Sequence, residues 1–219
     1  MMIFKNKKKT LTKIHWKDIT IAKNKAISDV CNRYSDGEDP MFLYDLMAAV
    51  YGKDEEWLNG LKVSEANDYV NTLAFINEKP RQNVAKTHYT LNGHRYVTTM
   101  NLQDITTAQY IDFQQMSDKA REMPAEFLSI ILIPEGKKYN EGYRIEDVAY
   151  DIENYMSVED CLGLTAFFLA LLRMSMRQSL RLLGRMEAKA KREGVMNKEQ
   201  LEALHQVRLL LESASGMKR

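Results

Sequence analysis

Apolar residues recur at three- and four-residue spacing through most of this chain, and short polar breaks divide the pattern into helical segments. Thr20 is placed to cap a helix running to about Asn32, with Ile21, Ile27, Val30 and Cys31 on its buried side. Asp36 to Pro40 breaks that helix, and Pro40 opens a second over Met41 to Val50, which Gly52 ends. Trp57 and Leu58 fall in a short turn. Ser64, with Glu65 and Asp68 behind it, opens a third helix reaching about Ile76. The alternation from Thr10 to Ile14 predicts a short strand, and residues 77–87 read as a polar linker.

The strongest local signal follows, in Tyr89-Thr90-Leu91-Asn92-Gly93-His94-Arg95-Tyr96-Val97. Asn-Gly between two β-prone runs predicts a type I′ hairpin, because both turn residues need positive φ. Thr106 then leads into a helix from Thr107 to about Lys119, and Pro124 opens another over Ala125 to Ile133, closed by Pro134. Tyr143 to Tyr155 reads as helix, and Ser157 caps a long helix beginning near Val158.

The two halves run in parallel. Trp16-Lys17-Asp18-Ile19-Thr20 resembles Leu102-Gln103-Asp104-Ile105-Thr106, and each is followed by an amphipathic helix, an apolar helix and a Ser-capped helix. The expected fold is therefore mainly α, with two related helical subdomains from a degenerate duplication, a small β-hairpin and a C-terminal helical hairpin. The predicted divisions are a basic flexible tail at 1–9, subdomain 1 at 10–80, the β-hairpin with subdomain 2 at 88–172, and the basic helical hairpin at 173–219.

The helical pattern from Val158 continues to Arg192, with Leu169, Leu172, Met176, Leu180 and Leu183 as its apolar stripe. Beside it lie Arg173, Arg177, Arg181, Arg185 and Lys189, each four residues after the last. That spacing predicts five cations on one face, about 6 Å from their neighbours and mutually repelling. An acidic partner would relieve the repulsion. Three readings stay open for this stripe: a solvated face, a protein contact, or a nucleic-acid contact without base stacking. Gly194 permits a reversal, and a last helix starts near Asn197 or Lys198. Leu201, Leu204, Val207 or Arg208, and Leu211 are its packing seam.

Charge sharpens this picture. Residues 1–25 carry eight lysines against one aspartate; residues 26–172 carry 12 basic and 24 acidic groups; residues 173–219 carry 11 basic and five acidic groups. An acidic body between basic ends favours either oriented binding or head-to-tail self-association. Thirteen methionines suit helical cores and adaptable contact surfaces. Cys31 and Cys161 are isolated, and read as two buried thiols in a reducing compartment. The N-terminal charges follow the few apolar residues, which does not fit a signal peptide, and Cys161 to Leu172 is too short to span a bilayer. No membrane association is expected.

Candidate chemistry is sparse. His15, His88, His94 and His205 have no metal-ligand spacing, although His88 and His94 flank the hairpin. Nucleotide-binding glycine loops, a nucleophile elbow and a local Cys-His pair are absent from the sequence. Asp54-Glu55-Glu56 reads as a helix start rather than a catalytic pair. The expectation is a protein that is not an enzyme, with no cofactor and no metal.

Two segments carry a likeness to known proteins. One runs from His88-Tyr89-Thr90-Leu91-Asn92-Gly93 to Thr106-Thr107-Ala108-Gln109-Tyr110-Ile111-Asp112-Phe113; the other is Pro124-Ala125-Glu126-Phe127-Leu128-Ser129-Ile130-Ile131-Leu132-Ile133-Pro134. Together they resemble virion-associated and assembly proteins of tailed phages that infect gut Bacteroidetes, crAss-like phages included. The resemblance covers roughly 88–172, with a fainter echo in 10–80. It implies a non-enzymatic role in the particle or its assembly, partners among other phage structural proteins, and a chain made in the bacterial cytoplasm. It carries over no functional residue. The leading expectation is a ring or connector subunit, or a packaged cargo protein, forming a homo-oligomer or part of a hetero-oligomeric assembly. The alternatives are a tail-assembly chaperone that leaves before maturation and a nucleic-acid-binding regulator.

Overall fold

The computed structural model describes residues 11–34, 39, 41–194 and 198–214. The chain is mainly helical, with one small antiparallel sheet. The basic segment 1–9 lies outside the described residues, as does most of the break at 36–40. Leu11 to Ile14 form no strand.

The N-terminal unit starts with a 3-10 turn at Trp16–Asp18. Extended Thr20 then caps α1 (Ile21–Arg33), its Oγ1 accepting from the Lys23 N–H. Helices α2 (Met41–Tyr51), α3 (Glu55–Asn59) and α4 (Val63–Val70) follow, and α4 tightens into a 3-10 stretch at Asn71–Asn77. The Asp54 side chain accepts from the Trp57 N–H (2.9 Å), so the acidic triplet is a helix start. Ile19, Ile27, Val30, Met47, Val50 and Phe75 form the centre of this unit's core. Cys31 is exposed, contrary to expectation: Ile27 and Val30 face inward, and one further residue turns the side chain about 100° away.

Residues 78–87 lead to β1 (His88–Leu91) and β2 (His94–Thr98). Asn92 and Gly93 both have positive φ (51° and 78°), as a type I′ turn demands. A Cβ at Gly93 would meet nothing within 4 Å, so only backbone strain opposes substitution there. Gly93→Ala is expected to cost about 1–2 kcal/mol, read by denaturant titration.

Helix α5 (Thr107–Met116) is capped by Thr106. Next, α6 (Pro124–Ser129) is shorter than the predicted 125–133 helix, because Leu132–Pro134 is a third strand, β3. It pairs with β2 in the register Tyr96↔Pro134, Val97↔Ile133 and Thr98↔Leu132. A short apolar run fits a buried helix or a buried strand equally, and β-branched residues with a closing proline suit a strand at the sheet edge. Where α6 ends, Gln109 Nε2 donates to the Ile130 carbonyl (2.7 Å) and satisfies an acceptor the helix has released.

Helix α7 (Ile145–Tyr155) packs on α6, and Ser157 caps the 36-residue α8 (Val158–Glu193), accepting from the Asp160 N–H (3.1 Å). Gly194, in the left-handed region, ends α8 before α9 (Lys198–Ala214). The second core gathers Phe113, Phe127, Leu128, Ile152, Leu164 and Phe168, and it ends along α8 at Leu172 and Met176. The two cores meet on the first turns of α8, where Val158 belongs to one, and Cys161 and Leu164 to the other. There the Val158 N–H donates to the Ile19 carbonyl (2.8 Å), and Thr20 bridges Ser157. Burial raises the Cys161 thiol to about 11, which leaves it unreactive.

The paired segments noted above share a local form at their start. Trp16–Asp18 and Leu102–Asp104 are both 3-10 turns, and Thr20 and Thr106 both cap the next helix. They diverge at their end, where α4 is short and α8 is long.

Candidate functional site

Beyond Met176, the buried positions described on α8 are Glu187 and Ala190. The distal half of α8 and α9 therefore form a two-helix arm whose buried contacts are mainly with each other. Arg173, Arg177, Arg181, Arg185 and Lys189 are all exposed on it. Each step of four residues advances about 40° around a helix of 3.6 residues per turn, so the stripe follows an inclined ridge rather than one straight line. Lys189 Nζ lies 4.0 Å from Glu193 Oε2. The four arginines have no ion pair or hydrogen bond among the described residues. Alongside them Met174, Leu182 and Met186 are exposed, Leu182 at 58%. Leu182 and Met186, four residues apart, share one side of α8 and give the arm a small apolar contact among its charges.

The seam between the arm's helices is polar at its centre. Glu187 on α8 is buried. Its carboxylate accepts from Lys191 Nζ (2.7 Å) and Arg208 Nη1 (2.9 Å), with His205 Nδ1 at 3.7 Å. The Lys191 hydrogen bond, helped by the charges of Arg208, Lys191 and His205, holds the Glu187 carboxyl below the usual range. Of the two residues the sequence offered for this seam position, Arg208 is turned toward α8 and Val207 is exposed. The side chains of Leu201 and Leu211 lie outside the described residues.

Because the folded pKa is depressed, the clasp contributes above the unfolded carboxylate value and is lost as pH falls through the folded one. Glu187→Gln is expected to speed amide exchange across the arm at pH 7 and leave exchange in α7 unchanged. Unaltered protection of the arm in hydrogen–deuterium exchange would contradict a clasp.

A second constellation sits where the β-hairpin tip meets α7, in a cleft of about 690 Å³. Asp151 is its centre, 5% exposed on a face shared with Val148 and Ile152. It binds Tyr96 OH (2.6 Å), His94 Nδ1 (2.9 Å) and Asn92 Nδ2 (3.1 Å). Burial pulls the Asp151 carboxyl upward, but the three partners outweigh it and hold it below its ordinary value. Burial and the Asp151 hydrogen bond raise the Tyr96 hydroxyl, which stays protonated as a donor. Through these three hydrogen bonds Asp151 pins the hairpin tip to α7. His88, by contrast, pairs with its neighbour Thr87 and does not face His94.

Sequence reasoning placed the exposed cations and missed both carboxylates. The available signal was the same in each case, an acidic residue on the inward side of an amphipathic helix. Among the described residues, no group of three or more His, Cys, Asp or Glu side chains is placed to hold a metal ion. No described helix is long and apolar enough to cross a membrane. No protein-family model, no curated protein and no solved structure matches this chain.

Proposed function

We propose that this chain is a non-enzymatic structural protein of a tailed-phage particle, a ring or connector subunit or a packaged protein near the portal and tail. It acts by docking onto other structural proteins through the α8–α9 arm. The observation that carries the docking role is the exposed stripe from Arg173 to Lys189, whose arginines lack partners among the described residues while methionine and leucine lie beside them. The phage setting rests on the resemblance of residues 88–172 to phage assembly proteins. In this reading the protein is made in the bacterial cytoplasm and resides in the virion. Mass spectrometry of purified particles tests it: stoichiometric copies are expected, and absence from particles rejects it.

The exposed Met174, Leu182 and Met186 also favour a second reading, a tail-assembly chaperone that covers apolar segments of a partner. That reading expects co-purification with a tail protein and no copies in finished particles. A nucleic-acid role is less favoured, because residues 173–219 contain no Phe, Tyr or Trp to stack on bases.

A further inference from the structure

A groove between α5, α6 and α7 has the opposite character to the arm. It encloses about 680 Å³. Four carboxylates line it, from Asp112, Glu126, Glu146 and Glu153, against the single cation of Lys119. Tyr150, 59% exposed, offers an apolar contact among them, and no residue of α8 or α9 contributes to the lining. Glu126 and Glu153 have no ion pair among the described residues, and Glu146 has only an exposed one to Arg144 at 3.6 Å. Asp112 accepts from the Tyr139 hydroxyl (2.6 Å), which leaves Glu126 and Glu153 as the groove's unpaired carboxylates among the described residues, while the arm holds four unpaired arginines beside exposed methionine and leucine.

We propose that the groove receives the arm of a second copy of this chain, so that copies associate head to tail. This deepens the docking role proposed above and rests on it. Charge complementarity selects the occupant: the arm's arginines find in the groove the carboxylates their own chain does not bring to them. The spacing is compatible. Glu146 and Glu153 are two helical turns apart, about 10 Å of rise, and Arg177 and Arg185 are about 12 Å apart. Leu182 and Met186 would lie against Tyr150, removing apolar surface from water on both sides. Arm and groove are different surfaces, so the contact is heterologous and builds a ring if the rotation closes or a filament if it does not.

The test is light scattering coupled to size exclusion at low salt, over a range of concentrations of the full chain. The wild type is expected to self-associate, less so as salt is added. Arg181→Glu with Arg185→Glu, and separately Glu126→Lys with Glu153→Lys, are each expected to raise the dissociation constant on the order of a hundredfold, because like charges then face each other. Mixing the two variants makes both contacts complementary again, so association is expected to return in a one-to-one mixture. Circular dichroism checks that each variant folds; one that does not is replaced by its single substitutions. A wild type monomeric at every concentration, association indifferent to either reversal, or no recovery on mixing would overturn the proposal. A monomer found in particles would overturn this inference and leave the proposed function standing. A self-associating chain missing from particles would do the reverse.

Discussion

Gly163→Ala is expected to destabilise the protein by about 2 kcal/mol, while the same change at Gly184 in the same helix stabilises it. A Cβ at Gly163 would sit 1.8 Å from the Asn83 carbonyl oxygen and 2.8 Å from its carbon. The obstacle is backbone, and it is anchored to the first turn of α8. The Asn83 N–H donates to the Glu159 carbonyl (3.1 Å), its side chain donates to Asp160 (2.8 Å), and the Arg81 N–H donates to Glu159 Oε1 (3.1 Å). Moving the 78–87 segment aside would break those bonds. Alanine gains about 1 kcal/mol of helix propensity over glycine, but a contact of 1.8 Å with anchored backbone puts the overpacking cost at about 3 kcal/mol, the top of its usual range, so the clash wins. Nothing lies within 4 Å of a Cβ at Gly184, and the propensity gain stands alone there. For a chain of this size the Gly163 variant should melt roughly 4–8 °C lower. Thermal shifts of the same sign at both positions would refute this account.

The second large effect is expected at Asp151. Asp151→Ala leaves the buried Tyr96 hydroxyl without its acceptor and removes the charge that His94 and Asn92 face. An unsatisfied buried hydroxyl costs about 1–3 kcal/mol, and hydrogen bonds to a charged group contribute about 1.5–3 kcal/mol, so a loss of about 3 kcal/mol is expected in denaturant titration at pH 7. Asp151→Asn keeps one acceptor and should lose less. Because the folded-state carboxyl is held low, its contribution is complete above the unfolded aspartate value and disappears as pH falls through the depressed one. The gap between wild type and Asp151→Asn should therefore close on acidification. A gap that persisted unchanged into strong acid would mean that the carboxylate charge is not what holds the hairpin tip.

Local chemistry was legible along the chain. Thr20, Thr106 and Ser157 cap helices, and Asn92-Gly93 turns the hairpin, because each motif's reason lies within about four residues of itself. The exposed stripe from Arg173 to Lys189 was legible for the same reason, since helix period alone places it. What escaped depends on distant partners. Asn83 meets α8 some 80 residues later, and Asp151 meets a hairpin tip 57 residues before it. The local signal at Leu132–Pro134, an apolar run closed by proline, suits a strand or a helix end; its partner β2 decides between them. Glu187 likewise depends on α9, which folds back and brings Arg208 against it.

The bridge from Thr20 to Ser157, with Val158 closing the N-terminal core, sets a timetable for synthesis. The first three helices leave the ribosome long before the residue that seals them. At about 5–20 residues per second the wait is on the order of ten seconds. During that interval the nascent chain has an open apolar face around Ile19, the kind of surface to which holdase chaperones bind. Truncations ending before Val158 should stay bound to them.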